Sequence, residues 1–133
     1  MQNHSLLEQL NNQIAGILFY SESEYPLTIS EWGVLPAAGV QQKIAALHDV
    51  ESQVVRSVDA VTFFDQICNP ADPNDMPMVA NAQRFHELYL FLKENLSDIQ
   101  VSRVETGTSI PVYITGHQPD GTCIALATTA IES

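Results

Sequence analysis

The segment Cys123-Ile124-Ala125-Leu126-Ala127 constrains the fold of this chain more than any other, because it is apolar on both parities. Successive side chains of a strand point to opposite faces. A strand made of these residues therefore needs cover on both sides of its sheet. It is preceded by Gln118-Pro119-Asp120-Gly121, with proline and glycine at the second and fourth positions that a type I turn favours. Upstream, Ile110, Val112 and Ile114 alternate as a strand does, and Ile99 and Val101 begin another. The last third thus reads as antiparallel strands, with 128–133 continuing the final one, so Ser133 is expected where a strand ends.

Helices are expected before and between these strands. A first helix is read over 6–18, with Ser5 and Glu8 as an S-x-x-E capping box and Leu6, Leu10, Ile14 and Ile17 as its apolar stripe. The polar segment 21–26 follows; Pro26 pushes Tyr25 toward extended geometry, which predicts a turn into a strand over 27–32. A short helix over 39–47 and a strand over 54–58 come next. Asp59 is an N-cap candidate for a helix running to about Cys68. Three prolines within 69–77 predict a loop. Over 78–96, Ala82, Phe85, Leu88, Tyr89, Leu92 and Leu96 recur at helical spacing, and Leu90 and Phe91 make this helix apolar around much of its girth. The expected fold is α+β: one domain over 1–133, a three-layer α/β/α sandwich with a mainly antiparallel sheet.

Charge narrows the function. The chain has 133 residues and 45% hydrophobic side chains, enough for a core, yet carries 16 Asp and Glu against 5 Lys and Arg, a net charge of -11. The bases Lys43, Arg56, Arg84, Lys93 and Arg103 are scattered, so there is no basic patch to hold phosphate backbones or an anionic membrane. Residues 1–42 contain Glu8, Glu22, Glu24 and Glu31 without one Lys or Arg, and 57–83 repeats the pattern with Asp59, Asp65, Asp72 and Asp75. Glu105, Asp120, Glu132 and the terminal carboxylate follow Arg103. Uncompensated acids repel one another and suit a cationic partner. The N-terminus lacks a signal-peptide pattern, and no apolar run spans a bilayer, so a cytoplasmic protein is expected. Cys68 and Cys123, 55 residues apart, read first as buried free thiols, with a disulfide or reactive thiol as the alternative.

Catalytic signatures are thin. The nucleophile elbow, P-loop, dinucleotide and zinc-protease motifs are all missing, and His4, His48, His86 and His117 are dispersed. Asp72, Asn74 and Asp75 fail the calcium-loop pattern. Glu22 and Glu24 form the one suggestive pair: in an extended segment they point the same way, with backbones about 6.5 Å apart. That spacing falls within the range of paired glycosidase carboxylates, but both lie among serines, in a segment that also reads as a solvated turn. No cofactor or metal of its own is expected.

The string Ile17-Leu18-Phe19-Tyr20-Ser21-Glu22-Ser23-Glu24-Tyr25-Pro26 resembles the nuclease A inhibitor family, small bacterial proteins that block sugar-non-specific DNA/RNA endonucleases. The resemblance continues through Val58-Asp59, Phe63-Phe64, the helix around 85–96, and Val112-Tyr113-Ile114-Thr115-Gly116 with Pro119-Asp120-Gly121; Gly33 to Val55 is the most divergent stretch. It implies a fold related to pathogenesis-related proteins. It also implies that Glu22 enters the nuclease active site and pairs with arginines that grip the scissile phosphate. Ser133 matches a terminal threonine whose hydroxyl ligates the nuclease's magnesium. Ser23 and Glu24 flank the contact, Glu24 steering association. Where the family carries a contacting tryptophan, in the loop matching 69–77, this chain has Pro73, and its only tryptophan is Trp32.

The expected function is therefore non-enzymatic: inhibition, one to one, of a metal-dependent, sugar-non-specific nuclease by an acidic loop and the C-terminus of a protein that is monomeric when free. Two alternatives stand beside it. One is an acidic binding module or immunity-type partner for another basic protein. The other is a small hydrolase using Glu22 and Glu24 as acid and base.

Overall fold

A computed structural model describes residues 2–69 and 72–132. In chain order its elements are α1 (Gln2–Ile14), β1 (Leu18–Tyr20), β2 (Glu24–Pro26), β3 (Thr28–Val34), α2 (Val40–His48), β4 (Val55–Val58), α3 (Ala60–Cys68), α4 (Met76–Asn95), β5 (Ser97–Val104), β6 (Ser109–His117) and β7 (Thr122–Ile131). The fold is mixed α+β. β3 to β7 form one antiparallel sheet in the order β3-β7-β6-β5-β4, while β1 and β2 pair as a separate hairpin.

β7 lies inside the sheet between β3 and β6, the position its composition demands. Ile124, Leu126 and Ala130 join a large apolar cluster with Leu10 of α1, Phe64 of α3, and Phe85 and Leu88 of α4. Cys123, of the opposite parity, joins a smaller cluster with Val40 and Ile44 of α2, Val55 and Val104. β6 divides likewise, with Ile110, Val112 and Ile114 in the first cluster and Tyr113 against the second. Two separate apolar clusters thus draw on alternate residues of the same strands.

Several boundaries differ from the sequence expectations for identifiable reasons. α1 begins at Gln2, so Ser5 lies inside the helix and the Ser5/Glu8 capping box does not start it. It stops at Ile14 because Gly16 takes φ +80, a left-handed conformation that glycine adopts without a Cβ clash. Within the helix the stripe holds through Leu10 and Ile14, both buried; Ile17 is buried too, but beyond the helix end. α4 starts two residues earlier than expected: Asp75 caps it by accepting from the Met78 N–H at 3.2 Å, and Pro77 sits in the first turn, where its missing N–H costs nothing. Leu90, expected to help make α4 apolar around much of its girth, is exposed. Asp59 caps α3 as expected, accepting from the backbone N–H and the hydroxyl of Thr62.

The β1–β2 hairpin is the element that the sequence reading missed. Leu18 pairs with Pro26 and Tyr20 with Glu24, so the region read as a turn before a strand is itself a pair of strands. At three residues each, these strands are too short to persist alone. Asn81 of α4 holds the first one: its side-chain carbonyl accepts from the Leu18 N–H at 2.9 Å, and its amide donates to the Leu18 carbonyl at 2.8 Å. Both cysteines are free thiols. Burial pushes the Cys123 thiol up to about 11 and also raises Cys68, helped there by the charge of Asp65, so neither is disposed to react as a thiolate.

Candidate functional site

The reversal between β1 and β2 carries Ser21, Glu22 and Ser23, all exposed, and Glu24, also exposed, opens β2. Inside the tip, the Ser21 N–H donates to the Ser23 carbonyl at 2.8 Å. The tip is then fastened to the end of β7. The Ser21 hydroxyl accepts from the Ile131 N–H at 2.8 Å, across 110 residues of sequence. The Glu22 N–H donates to the Ile131 carbonyl at 3.1 Å. Both main-chain polar groups of Ile131 are thereby committed to the tip. The fold thus brings Glu22 to the terminal part of β7, two regions that the sequence reading had named separately. Ser133 itself lies outside the described residues.

Glu22 and Glu24 are not a strand pair. Glu22 belongs to the bend at 21–23 and only Glu24 is in a strand, so the alternation that would aim both carboxylates the same way does not span them. The acid-base reading of this pair loses its geometric basis.

Beside the tip, Arg103 of β5 holds two acids. Its Nε donates to Glu105 at 2.6 Å and its Nη2 to Glu132 at 2.7 Å. The Glu132 N–H also donates to the Thr108 carbonyl at 2.9 Å. The hydrogen bond from Arg103 holds the Glu132 carboxyl below its ordinary range, and the bond to Glu132 raises the guanidinium in turn. The expectation that the acids after Arg103 are uncompensated is corrected for Glu105 and Glu132. The two-residue spacing of Arg103 and Glu105 was a signal for half of this clamp that the sequence reading did not use; Glu132 joins them only in three dimensions.

A cleft of about 490 Å³ opens between the β1–β2 hairpin, α3 and α4. Phe19, Phe63, Ile67 and Met78 form apolar walls, and Glu22, Arg103 and Glu132 stand on its polar side. No sequence signal pointed to it, since its lining comes from five separate stretches.

The lone tryptophan is placed elsewhere. Trp32 is half-buried against the smaller cluster, 5.7 Å from the Tyr113 ring, with the Lys43 ammonium 5.9 Å from its centroid. His48 Nε2 meets the Tyr113 hydroxyl at 2.7 Å in the same group. Among the described residues, no group of three or more His, Cys, Asp or Glu side chains is placed to hold a metal, and no helix is long and apolar enough to cross a membrane.

Fold and site define an acidic α+β protein that presents a short polar tip tied to the end of a central strand. The chain belongs to the nuclease A inhibitor-like family, whose model matches residues 4–133, nearly its whole length. No curated protein matches it.

Proposed function

We propose that this chain inhibits a sugar-non-specific, metal-dependent nuclease by plugging its active site with the tip around Glu22 and with the C-terminal residue. The membership of an inhibitor family supports the class of function. The observation that carries the mechanism is the pair of bonds between the tip and Ile131, which set Glu22 beside the end of β7. A tip already held in one geometry loses little freedom on binding.

In this reading the Glu22 carboxylate takes the place of the scissile phosphate between arginines of the nuclease, a charge-assisted and potentially bidentate contact. Ser133 presents a hydroxyl to the nuclease's magnesium, which prefers hard oxygen ligands. Ser23 lies against the partner, and Glu24 contributes to the field that attracts a basic surface, so its loss slows association more than it speeds dissociation. The protein acts one to one, as a single domain, and turns nothing over.

The test is a titration of the untagged protein into a sugar-non-specific nuclease with magnesium, following DNA degradation. Stoichiometric inhibition is expected, strongly weakened in Glu22→Ala and in a variant lacking Ser133. Inhibition that is equally tight in both variants would reject the plug while retaining the inhibitor. A folded wild-type protein without inhibition would reject both and favour a different basic partner.

A further inference from the structure

We infer that the cleft beside the acidic tip is a socket for one apolar side chain of the basic partner, flanked on that partner by cationic residues. The inference rests on the inhibitory reading above and adds to it the chemistry of a second contact.

Three observations carry it. The cleft is continuous with the tip: Ser21 and Glu22 of the tip line it, together with Ile131, to which the tip is bonded, so a partner that engages Glu22 also covers the mouth of the cleft. Its walls are apolar, with the Phe19 and Phe63 rings stacked 5.9 Å apart and Ile67 and Met78 beside them. Its charge is net acidic: the charged side chains lining it are Glu22, Glu132 and Arg103, and Arg103 is shared between Glu132 and Glu105. An acidic occupant is repelled there, whereas an aliphatic or aromatic side chain between lysines or arginines gains apolar burial and complementary charge together. The two asparagines near the apolar walls are occupied internally. Asn81 bonds both main-chain groups of Leu18, and the Asn69 amide donates to the Asp65 carbonyl at 2.8 Å. The walls therefore offer an incoming side chain apolar contact more than new hydrogen bonds.

The experiment uses the full chain with labelled Ile, Leu and Met methyl groups, mixed with an unlabelled sugar-non-specific nuclease. The Ile67 and Met78 methyls are expected to show intermolecular NOEs to nuclease side-chain protons, while the Leu47 side of α2 shows none. In parallel, Gln66→Trp plugs the cleft from its exposed rim, and Leu47→Trp serves as a remote control; thermal melting of each verifies folding. Gln66→Trp is expected to weaken inhibition about tenfold, the scale of one hot-spot contact, and Leu47→Trp to leave it unchanged. Wild-type inhibition that is lost in Glu22→Ala, with no NOE to Ile67 or Met78 and full potency in Gln66→Trp, would overturn the socket and leave the plug standing. Should the wild-type chain neither bind nor inhibit the nuclease, both readings fall together. Because the NOEs are read on the unmodified protein, misfolding of Gln66→Trp does not remove the test.

Discussion

Two chain reversals approach β7 from opposite ends, and they are built on different principles. The turn between β6 and β7 is closed mainly by its own residues, with one outside bond from the Leu35 N–H to the Gly121 carbonyl at 3.3 Å. The Gly121 N–H donates to the Gln118 carbonyl at 2.9 Å, the Gln118 N–H to the Thr122 carbonyl at 2.9 Å, and the Thr122 N–H to the Asp120 carboxylate at 2.9 Å. Gly121 completes it at φ +92. The tip between β1 and β2 has two internal bonds, from the Ser21 N–H and hydroxyl to the Ser23 carbonyl, and further depends on Ile131 and, through β1, on Asn81. The first reversal is local and carries no proposed contact. The second exists in its observed form only when a helix and the last strand are already in place, and it is the one that displays Glu22. A presenting loop held by distant elements is pre-ordered for its partner, and its geometry is correspondingly vulnerable to changes far away in sequence.

The contrast can be broken in graded ways. The largest effect is expected from Glu22→Ala, which removes the presented carboxylate and keeps the main-chain bond from residue 22 to Ile131: nuclease binding should weaken by about 2–5 kcal/mol as partner arginines lose their carboxylate, in a protein that still melts cooperatively. Next comes Asn81→Ala, which strips both main-chain groups of Leu18 of their partners. A loss of about 1–3 kcal/mol in urea denaturation is expected, with inhibition impaired as β1 loosens. Stability equal to wild type would show that α4 does not hold the hairpin.

Ser21→Ala removes the hydroxyl that accepts from Ile131 and should cost about 1 kcal/mol; its effect on inhibition should exceed its effect on stability, since the tip is displaced but the core is untouched. Gly121→Ala sharpens the comparison from the other side. Placing a Cβ at φ +92 should cost about 1 kcal/mol of stability, while nuclease inhibition stays at the wild-type level. Weakened inhibition in Gly121→Ala would mean that the two reversals are coupled through β7.

The smallest effect concerns acid. The Glu132 carboxyl is held below its ordinary value of 4.5 by Arg103, so this pair stabilises the folded state fully above that value, and the contribution fades as pH falls through the lowered value. Both side chains are partly exposed, so the pair is worth no more than about 1 kcal/mol. Melting curves of wild type and Arg103→Gln should therefore differ at neutral pH and converge in acid.

Much of the fold was legible because it is encoded locally. The both-parity apolar run of β7, the alternation of Ile110, Val112 and Ile114, the turn at Gln118 to Gly121 and the cap at Asp59 all express short-range preferences, and each was found where expected. The misses have physical causes. The Ser5/Glu8 box imitates a helix start inside a helix, and Pro77 looks like a loop residue although a first helical turn accepts it. The β1–β2 strands are too short to leave a periodic signal of their own.

The site divides along the same line. The sequence by itself determined the acidic character of the protein, the candidacy of Glu22 within a polar reversal, and the need for cover on both faces of β7, since these follow from composition, turn chemistry and side-chain alternation. Only the tertiary structure decided that Ile131 fastens the tip, that Glu132 shares Arg103 with Glu105, and that Phe19, Phe63, Ile67 and Met78 surround one cleft. Those contacts join residues that no local preference relates, and they arise from strand order and register, which are set by how the whole chain buries its apolar faces.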